Sequence, residues 1–346
     1  MKNFTKTLMS ALSRVGNKWE LVLYAILLWF STWIMFKTFS YDFETGKIMV
    51  GKKIWSDLAA NLPLIRSFSY GDNWPPEYPI YPGEPIRYHF LFYYIVGMLE
   101  KAGVPIHWAM NIPSALGFFA IPSMIYAVGK RLFHDVRVAL LSVVFFLFNG
   151  SLSFIQYFER NPLSASTLKD ILARSEYTAM GPWDNGNVLG VWHLNVFLNQ
   201  RHFSIALGML MLFIFTCLWL ENRGRKSHLI AAVFFGIIVG LLTLFHKPVM
   251  LMVAIVMTVF FLALPYLRLF LVVTGAVTLG VMGGIWLMSL SIAGPATDVI
   301  SWYPGFTLNA AKSHTEVISF FWYQFGLHCF LIRIGYPVCL PNGPGH

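Results

Sequence analysis

The feature that most constrains this chain is a series of apolar runs, each close to the length needed to cross a bilayer. The first, "ELVLYAILLWFSTWIMFKTF" at 20–39, has one acid at its start and one lysine near its end. About 20 such residues cross some 30 Å of hydrocarbon. Further runs follow at 112–133, 138–157, 202–220, 229–245, 248–264, 269–290 and 317–335. Only 12% of the 346 residues are charged, about half the share of a soluble domain, so no polar shell exists to solubilise such a core. The expected fold is an all-α polytopic membrane protein with about eight transmembrane helices.

Charge orients the runs. Lys2, Lys6, Arg14 and Lys18 precede the first span and place the N-terminus in the cytoplasm by the positive-inside rule. The rule then expects 1–19 inside and external loops at 40–111, 158–200 and 291–316. Basic clusters at Lys130–Arg131–Arg137 and in "ENRGRK" fall inside. The net charge of +9 is explained by this bias, and nucleic acid is excluded as a partner. The three cysteines have no C-x-x-C spacing. The tail at 336–346, "GYPVCLPNGPGH", reads equally as a disordered end and as a truncated one.

Two segments of the first external loop are expected to be helices that do not cross. In 54–68, Trp55, Leu58, Ala59, Leu62 and Ile65 recur at helical spacing, Asp57 and Asn61 fall on another face, and Pro63 removes one backbone donor. This is the pattern of an interfacial helix. The run 88–103 is apolar for only about a dozen residues, too few to span. If it crossed, the cluster after 129 would lie outside. Between the two, "GDNWPPEYPIYPGEPIRYH" (71–89) is rich in proline and reads as a stiff link.

No H-E-x-x-H, phosphate-binding glycine loop, dinucleotide fingerprint or G-x-S-x-G occurs, and the internal loops are short. Chemistry is therefore expected on the external side. Asp57 is a candidate base or acceptor-orienting carboxylate; a solvated face residue is the plainer reading. Arg201-His202 and His246-Lys247 stand at external helix ends, where cations can clamp a phosphate or simply snorkel to the interface. Arg160, Arg87, Tyr88 and His89 are further candidates for the same pocket. Asp57 and His89, with Glu84, His193 and His202, are candidates for a divalent ion, although their spacing specifies none. Trp183, Asp184, Asn185, Asn187, Trp192, His193 and Asn195 form a mix suited to sugar contacts.

Three stretches carry a family resemblance. "NIPSALGFFAIPSMIYAVGKRLF" (111–133) is similar to the R-x-P-S-A-L stretch and basic-ended span of GT-C membrane glycosyltransferases. The nearest branch holds protein O-mannosyltransferases and lipid A aminoarabinose transferases. "PGEPIRYHFLFYYIVGMLEKAGVPIHWAM" (82–110) resembles that branch's K-P-P-L-Y-Y-W-L half-helix, and "GIIVGLLTLFHKPVMLMV" (236–253) its G-L-A-L-L-T-K-G-P-V-A-L turn. The likeness covers 20–265. It implies a 20–335 GT-C-like domain in a prokaryotic plasma membrane, with its active site facing outside. It implies a polyprenyl-phosphate-linked sugar as donor and an external lipid, glycan or protein as acceptor. Asp57 then matches the acid after the first span, and Lys247 a residue near the lipid phosphate. Leu58 departs from the Asp-Glu of the mannosyltransferases, and Arg87 stands near the place of the K-P-P lysine. The competing classes are a transporter and a lipid-binding or structural envelope protein without chemistry.

Overall fold

The computed structural model describes residues 18–51, 54–86, 89–148, 158–159, 161–173 and 194–290, with Thr315, Ile318 and Trp322. Helix α1 (Lys18–Thr38) leads into strands β1 (Phe39–Asp42) and β2 (Lys47–Val50). Then come α2 (Trp55–Ser69), β3 (Glu77–Tyr78), β4 (Tyr81–Pro85), α3 (Leu91–Lys101), α4 (Ile106–Phe133) and α5 (Val136–Leu147). Next are α6 (Thr167–Ala173), α7 (Leu194–Asn199), α8 (Arg201–Leu220), α9 (Arg225–Phe245), α10 (Lys247–Ala263), a 3-10 turn (Pro265–Leu267) and α11 (Arg268–Leu290). The chain divides into two compact units, Met1–Val144 with Leu194–Ala296, and Phe145–His193 with Thr297–His346. In the second, Ser166 Oγ donates to Asp170 Oδ2 at 2.7 Å at the start of α6.

Among the described residues, five helices are long and apolar enough to cross a bilayer: Lys18–Thr38, Ile106–Phe133, Arg201–Leu220, Arg225–Phe245 and Pro265–Met288. This makes the chain a mostly helical, multi-pass membrane protein. Two of the eight expected spans are shorter apolar helices, α5 and α10. The expected span 138–157 runs past the described part of that region, and 317–335 lies almost wholly outside the described residues.

Contacts at the helix ends fix the relative directions of α1, α4 and α8. At one end, Asn111 on α4 donates to the Phe39 carbonyl beyond α1 and accepts from Arg201 at the start of α8. At the other end, Tyr126 and Lys130 on α4 reach Glu20 at the start of α1. There Arg131 donates to the Leu218 carbonyl at 2.5 Å and pairs with Glu221 at 3.4 Å. Helix α4 therefore runs antiparallel to α1 and parallel to α8, and is tied to both at each end.

Lipid is as apolar as leucine, so helix association in a membrane relies on close packing through small residues. Helices α4 and α8 meet at Gly117, where an added Cβ would lie 2.4 Å from Ile205 Cγ1 and 2.8 Å from its backbone. Helices α9 and α11 meet at Gly236 and Gly240, whose added Cβ atoms would lie 2.5 and 2.6 Å from Val277 and Val281. The G-I-I-V-G spacing puts both glycines on one face one turn apart. Thr278 Oγ1 donates to the Gly236 carbonyl across that contact at 3.2 Å.

Helices α2 and α3 form a packed pair under the bundle end. Leu58, Leu64, Ile65 and Phe68 of α2 share one buried cluster with Phe92, Tyr93 and Val96 of α3 and with Ile106, Ala109 and Met110 of α4. Arg66 and Ser69 both bind the Glu100 carboxylate, at 3.2 and 2.7 Å. At 11 residues, α3 is roughly 16 Å long, about half of a bilayer core. The inward stripe of α2 differs from the expected one: Ala59 is exposed and Leu64 and Phe68 are buried. The reason is that α2 packs on α3 and α4, so burial follows those helices rather than a flat lipid surface.

The first external loop also corrects the purely helical expectation, because it contains two small antiparallel hairpins. In β1–β2, the Asp42 carboxylate accepts from the Glu44 and Thr45 amides and from the Thr45 hydroxyl. Gly46 (φ 68°) closes the turn. In β3–β4, the Asn73 amide donates to Ser67 Oγ (2.8 Å) and the Glu77 carbonyl (2.9 Å) and accepts from the Glu77 amide (2.9 Å). One side chain thus fastens the proline-rich segment to α2. Asn73→Ala is expected to loosen it locally by about 1–3 kcal/mol. Amide exchange at Glu77 and Ile86 should rise about 5- to 150-fold with the helices unaffected; unchanged exchange there would contradict this role.

Candidate functional site

Of the residues expected on the external side, His89, Arg201, His202, His246 and Lys247 lie at the bundle end where α1 finishes and α8 begins. Arg201 is the most buried of them, at 1% exposure. Its guanidinium donates to Asn111 Oδ1, to the Met35 carbonyl (3.3 Å) and to Thr38 Oγ1 (3.0 Å), and lies 5.6 Å from the Phe39 ring centre. No carboxylate is among these partners. Arg201 spends two of its nitrogens on joining α1, α4 and α8, and so acts as a structural post. A direct clamp on substrate, the expectation from sequence, does not fit so enclosed a group.

His202, the next residue, turns to the other side. Its Nδ1 is 3.0 Å from the Tyr93 hydroxyl of α3. His89 reaches the same place because the Phe90 amide donates to the Leu244 carbonyl (3.0 Å) at the end of α9. His246 follows that helix and caps the next, accepting the Val249 amide at its Nδ1 at 3.3 Å. The three rings form a cluster: His89 and His202 have centroids 4.2 Å apart, His89 and His246 5.2 Å, His202 and His246 5.3 Å. All three are 5% exposed or less, whereas Lys247, opening α10, is exposed.

Burial and like charge shape the cluster's ionisation. Loss of water, then the neighbouring His246 and Lys247, push the His89 imidazole down to about 3. Burial also lowers His246, partly offset by a backbone hydrogen bond. Desolvation and nearby cations both disfavour an imidazolium, so these two rings are neutral at neutral pH. The rings overlap as tilted stacks, and among the described residues no group of three His, Cys, Asp or Glu is placed to hold a metal ion.

Asp57 occupies the first turn of α2 and is half-exposed. Among the described residues it joins neither the histidine cluster nor any salt bridge. Arg87, Tyr88, Arg160 and His193 lie outside the described residues, as does the Glu84 side chain and nearly all of the expected sugar-contact loop. Sequence reasoning missed Asn111, Tyr93 and Thr38, which position the basic residues. Asn111 was missed because the expected span began at 112, whereas the helix starts at Ile106 and carries the amide inside it. Tyr93 carried no signal, because tyrosine is ordinary at a membrane interface.

The arrangement offers hydrogen-bond donors, imidazole bases and one exposed ammonium. That combination suits an anion or a proton transfer. Comparison with protein-family models, curated proteins and solved structures finds no match to this chain.

Proposed function

We propose that the chain is a GT-C-type membrane glycosyltransferase with eight crossings, formed by the five long helices with α5, α10 and 317–335. It takes a sugar from a polyprenyl-phosphate donor at the outer face of a prokaryotic plasma membrane and passes it to an external lipid, glycan or protein. The observation that carries this reading is the meeting of His89, His202, His246 and Lys247 at the end of the bundle that also holds the short helices α2 and α3. Lys247 and the imidazoles hold the donor phosphate, and Arg201 positions His202 from behind. Asp57 orients the acceptor and removes its proton. The acceptor oxygen or nitrogen bonds to the anomeric carbon as the carbon–phosphate oxygen bond breaks, so the configuration inverts and the phosphate leaves as an anion.

A phosphate is already a competent leaving group, so positioning and charge supply most of the acceleration. Asp57→Asn is expected to lower sugar transfer by about 10²–10⁴-fold, the usual contribution of a positioned base. The assay is transfer from a radiolabelled polyprenyl-phosphate sugar in reconstituted vesicles. Undiminished turnover would remove Asp57 from the mechanism. The separation of Asp57 from the cluster favours one second reading, a lipid-phosphate-binding protein without chemistry. Donor binding with no transfer to any envelope acceptor would select it.

A further inference from the structure

Helices α9 and α11 run side by side in the same direction. Gly236 meets Val277 and Gly240 meets Val281, so contacts advance together along both helices. Both therefore begin at one end of the bundle, opposite the histidine cluster. Tyr266, just before α11, feels the charges of Glu221 and Arg131, which places the α10–α11 turn near the α8–α9 turn. The first amides of a helix have no partner within it, and its start carries a partial positive charge. Two such starts side by side repel each other, and an anion between them relieves this. Neither helix supplies one. No acid stands in the first turn of α9 or α11, and Gly224, the N-cap of α9, offers no side chain.

The side chains at this end are equally one-sided. Glu20 pairs with Lys130, Asp135 with Arg137 at 3.8 Å, and Glu221 with Arg131 at 3.4 Å. Arg223, Arg225, Lys226 and Arg268 are exposed and have no acidic partner among the described residues. The independent observation is His228, near the start of α9. It is 7% exposed, and its Nδ1 lies 3.2 Å from the Gly224 carbonyl. A carbonyl only accepts, so Nδ1 carries the proton and Nε2 of the neutral ring is an acceptor. That Nε2 is buried with no hydrogen-bond partner among the described residues. Helix side chains lean toward the N-terminus, and the Gly224 contact holds this ring against the helix start. An unmatched buried acceptor is costly, so the site calls for a ligand with a donor beside its negative charge.

We infer that the starts of α9 and α11 bind the headgroup of an anionic phospholipid bearing a hydroxyl, in the leaflet opposite the histidine cluster. Arg225, Lys226, Arg268 and the first amides of α9 hold the phosphate, and the hydroxyl donates to His228 Nε2. A lipid fits better than a soluble anion, because the next turns of both helices expose Ile230 and Val233, and Leu269 and Val272. Acyl chains lie along such residues. Arg223 sits over the Trp219 ring at 4.3 Å, and tryptophan with a basic neighbour marks a membrane boundary. No covalent bond changes. The inference is independent of the reading of the histidine end, and the failure of either leaves the other untouched.

The test is native mass spectrometry of the full chain, released from detergent with added lipid. Three probes with the same acyl chains are compared: phosphatidylglycerol, phosphatidylmethanol, which has the charge but no headgroup hydroxyl, and zwitterionic phosphatidylcholine. The expected order of retention is the order just given, with one tightly held phosphatidylglycerol per chain. The hydroxyl should add about 2- to 10-fold, and each cation about fivefold. Arg225→Gln combined with Arg268→Gln should therefore weaken phosphatidylglycerol about 25-fold. Arg137→Gln, at the same end but paired with Asp135, should cost about twofold at most. His228→Leu should bring phosphatidylglycerol down to the level of phosphatidylmethanol. If that variant does not fold, the wild-type lipid comparison and the two exposed arginines still decide. Phosphatidylcholine held as tightly as phosphatidylglycerol overturns the inference. So does equal retention of phosphatidylglycerol and phosphatidylmethanol by the wild type, or an Arg137→Gln loss as large as that of the double variant. Displacement of the lipid by equimolar glycerol phosphate overturns the lipid assignment in favour of a soluble anion.

Discussion

Asn111→Ala should destabilise the protein by about 3–5 kcal/mol, the sum of two losses within one buried contact. Asn111 is fully buried and uses both ends of its amide, donating to the Phe39 carbonyl at 2.7 Å and accepting from Arg201. A hydrogen bond to a charged group contributes about 1.5–3 kcal/mol, and a buried carbonyl left unmatched costs about 1–3 kcal/mol. Among the described residues no carboxylate pairs with Arg201, so the guanidinium keeps its charge with fewer partners. The measurement is denaturant or thermal unfolding in detergent. Asn111→Asp makes the converse point, because a carboxylate still accepts from Arg201 but no longer donates to Phe39. Its loss should be smaller, and an alanine variant as stable as the wild type would show that Arg201 needs no partner there.

Gly117→Ala is the second large effect, expected at about 2–3 kcal/mol, the upper range for overpacking. One methyl group would meet the Ile205 backbone at 2.8 Å and its Cγ1 at 2.4 Å. The side-chain atom can rotate away, but the backbone of α8 can retreat only if the α4–α8 crossing opens. Arg201 and Asn111 lie near the same crossing, so the histidine end should loosen as well. Gly280→Ala is the control. It lies on α11 with nothing within 4 Å of an added Cβ, and alanine is the better helix former by about 1 kcal/mol. Stability there should hold or rise; equal losses at both sites would refute the packing argument.

Much of the outline was legible because a bilayer imposes simple rules. Length and hydropathy located α1, α4, α8, α9 and α11 within a few residues, since an interrupted span would leave backbone groups unpaired in hydrocarbon. The expected helices 54–68 and 88–103 correspond to Trp55–Ser69 and Leu91–Lys101. The hairpins were not legible. Prolines in 71–89 suggested a stiff link, and nothing local announced that Asn73 would close a turn from outside it. The buried face of α2 was also misread, because periodicity shows that a helix has an apolar face but not which neighbour covers it.

The candidate site divides in the same way. Sequence alone determined which residues share a side of the membrane, because charge bias and span parity send His89, His202, His246 and Lys247 to one end. Only the tertiary structure decided that three of them touch and that Arg201 does not join them. The contacts arise from a backbone hydrogen bond between Phe90 and Leu244, and from an amide inside α4 that captures the guanidinium. Both link residues more than 80 positions apart. Proximity of that kind is set by helix packing, which depends on shape at every crossing rather than on the composition of any one segment.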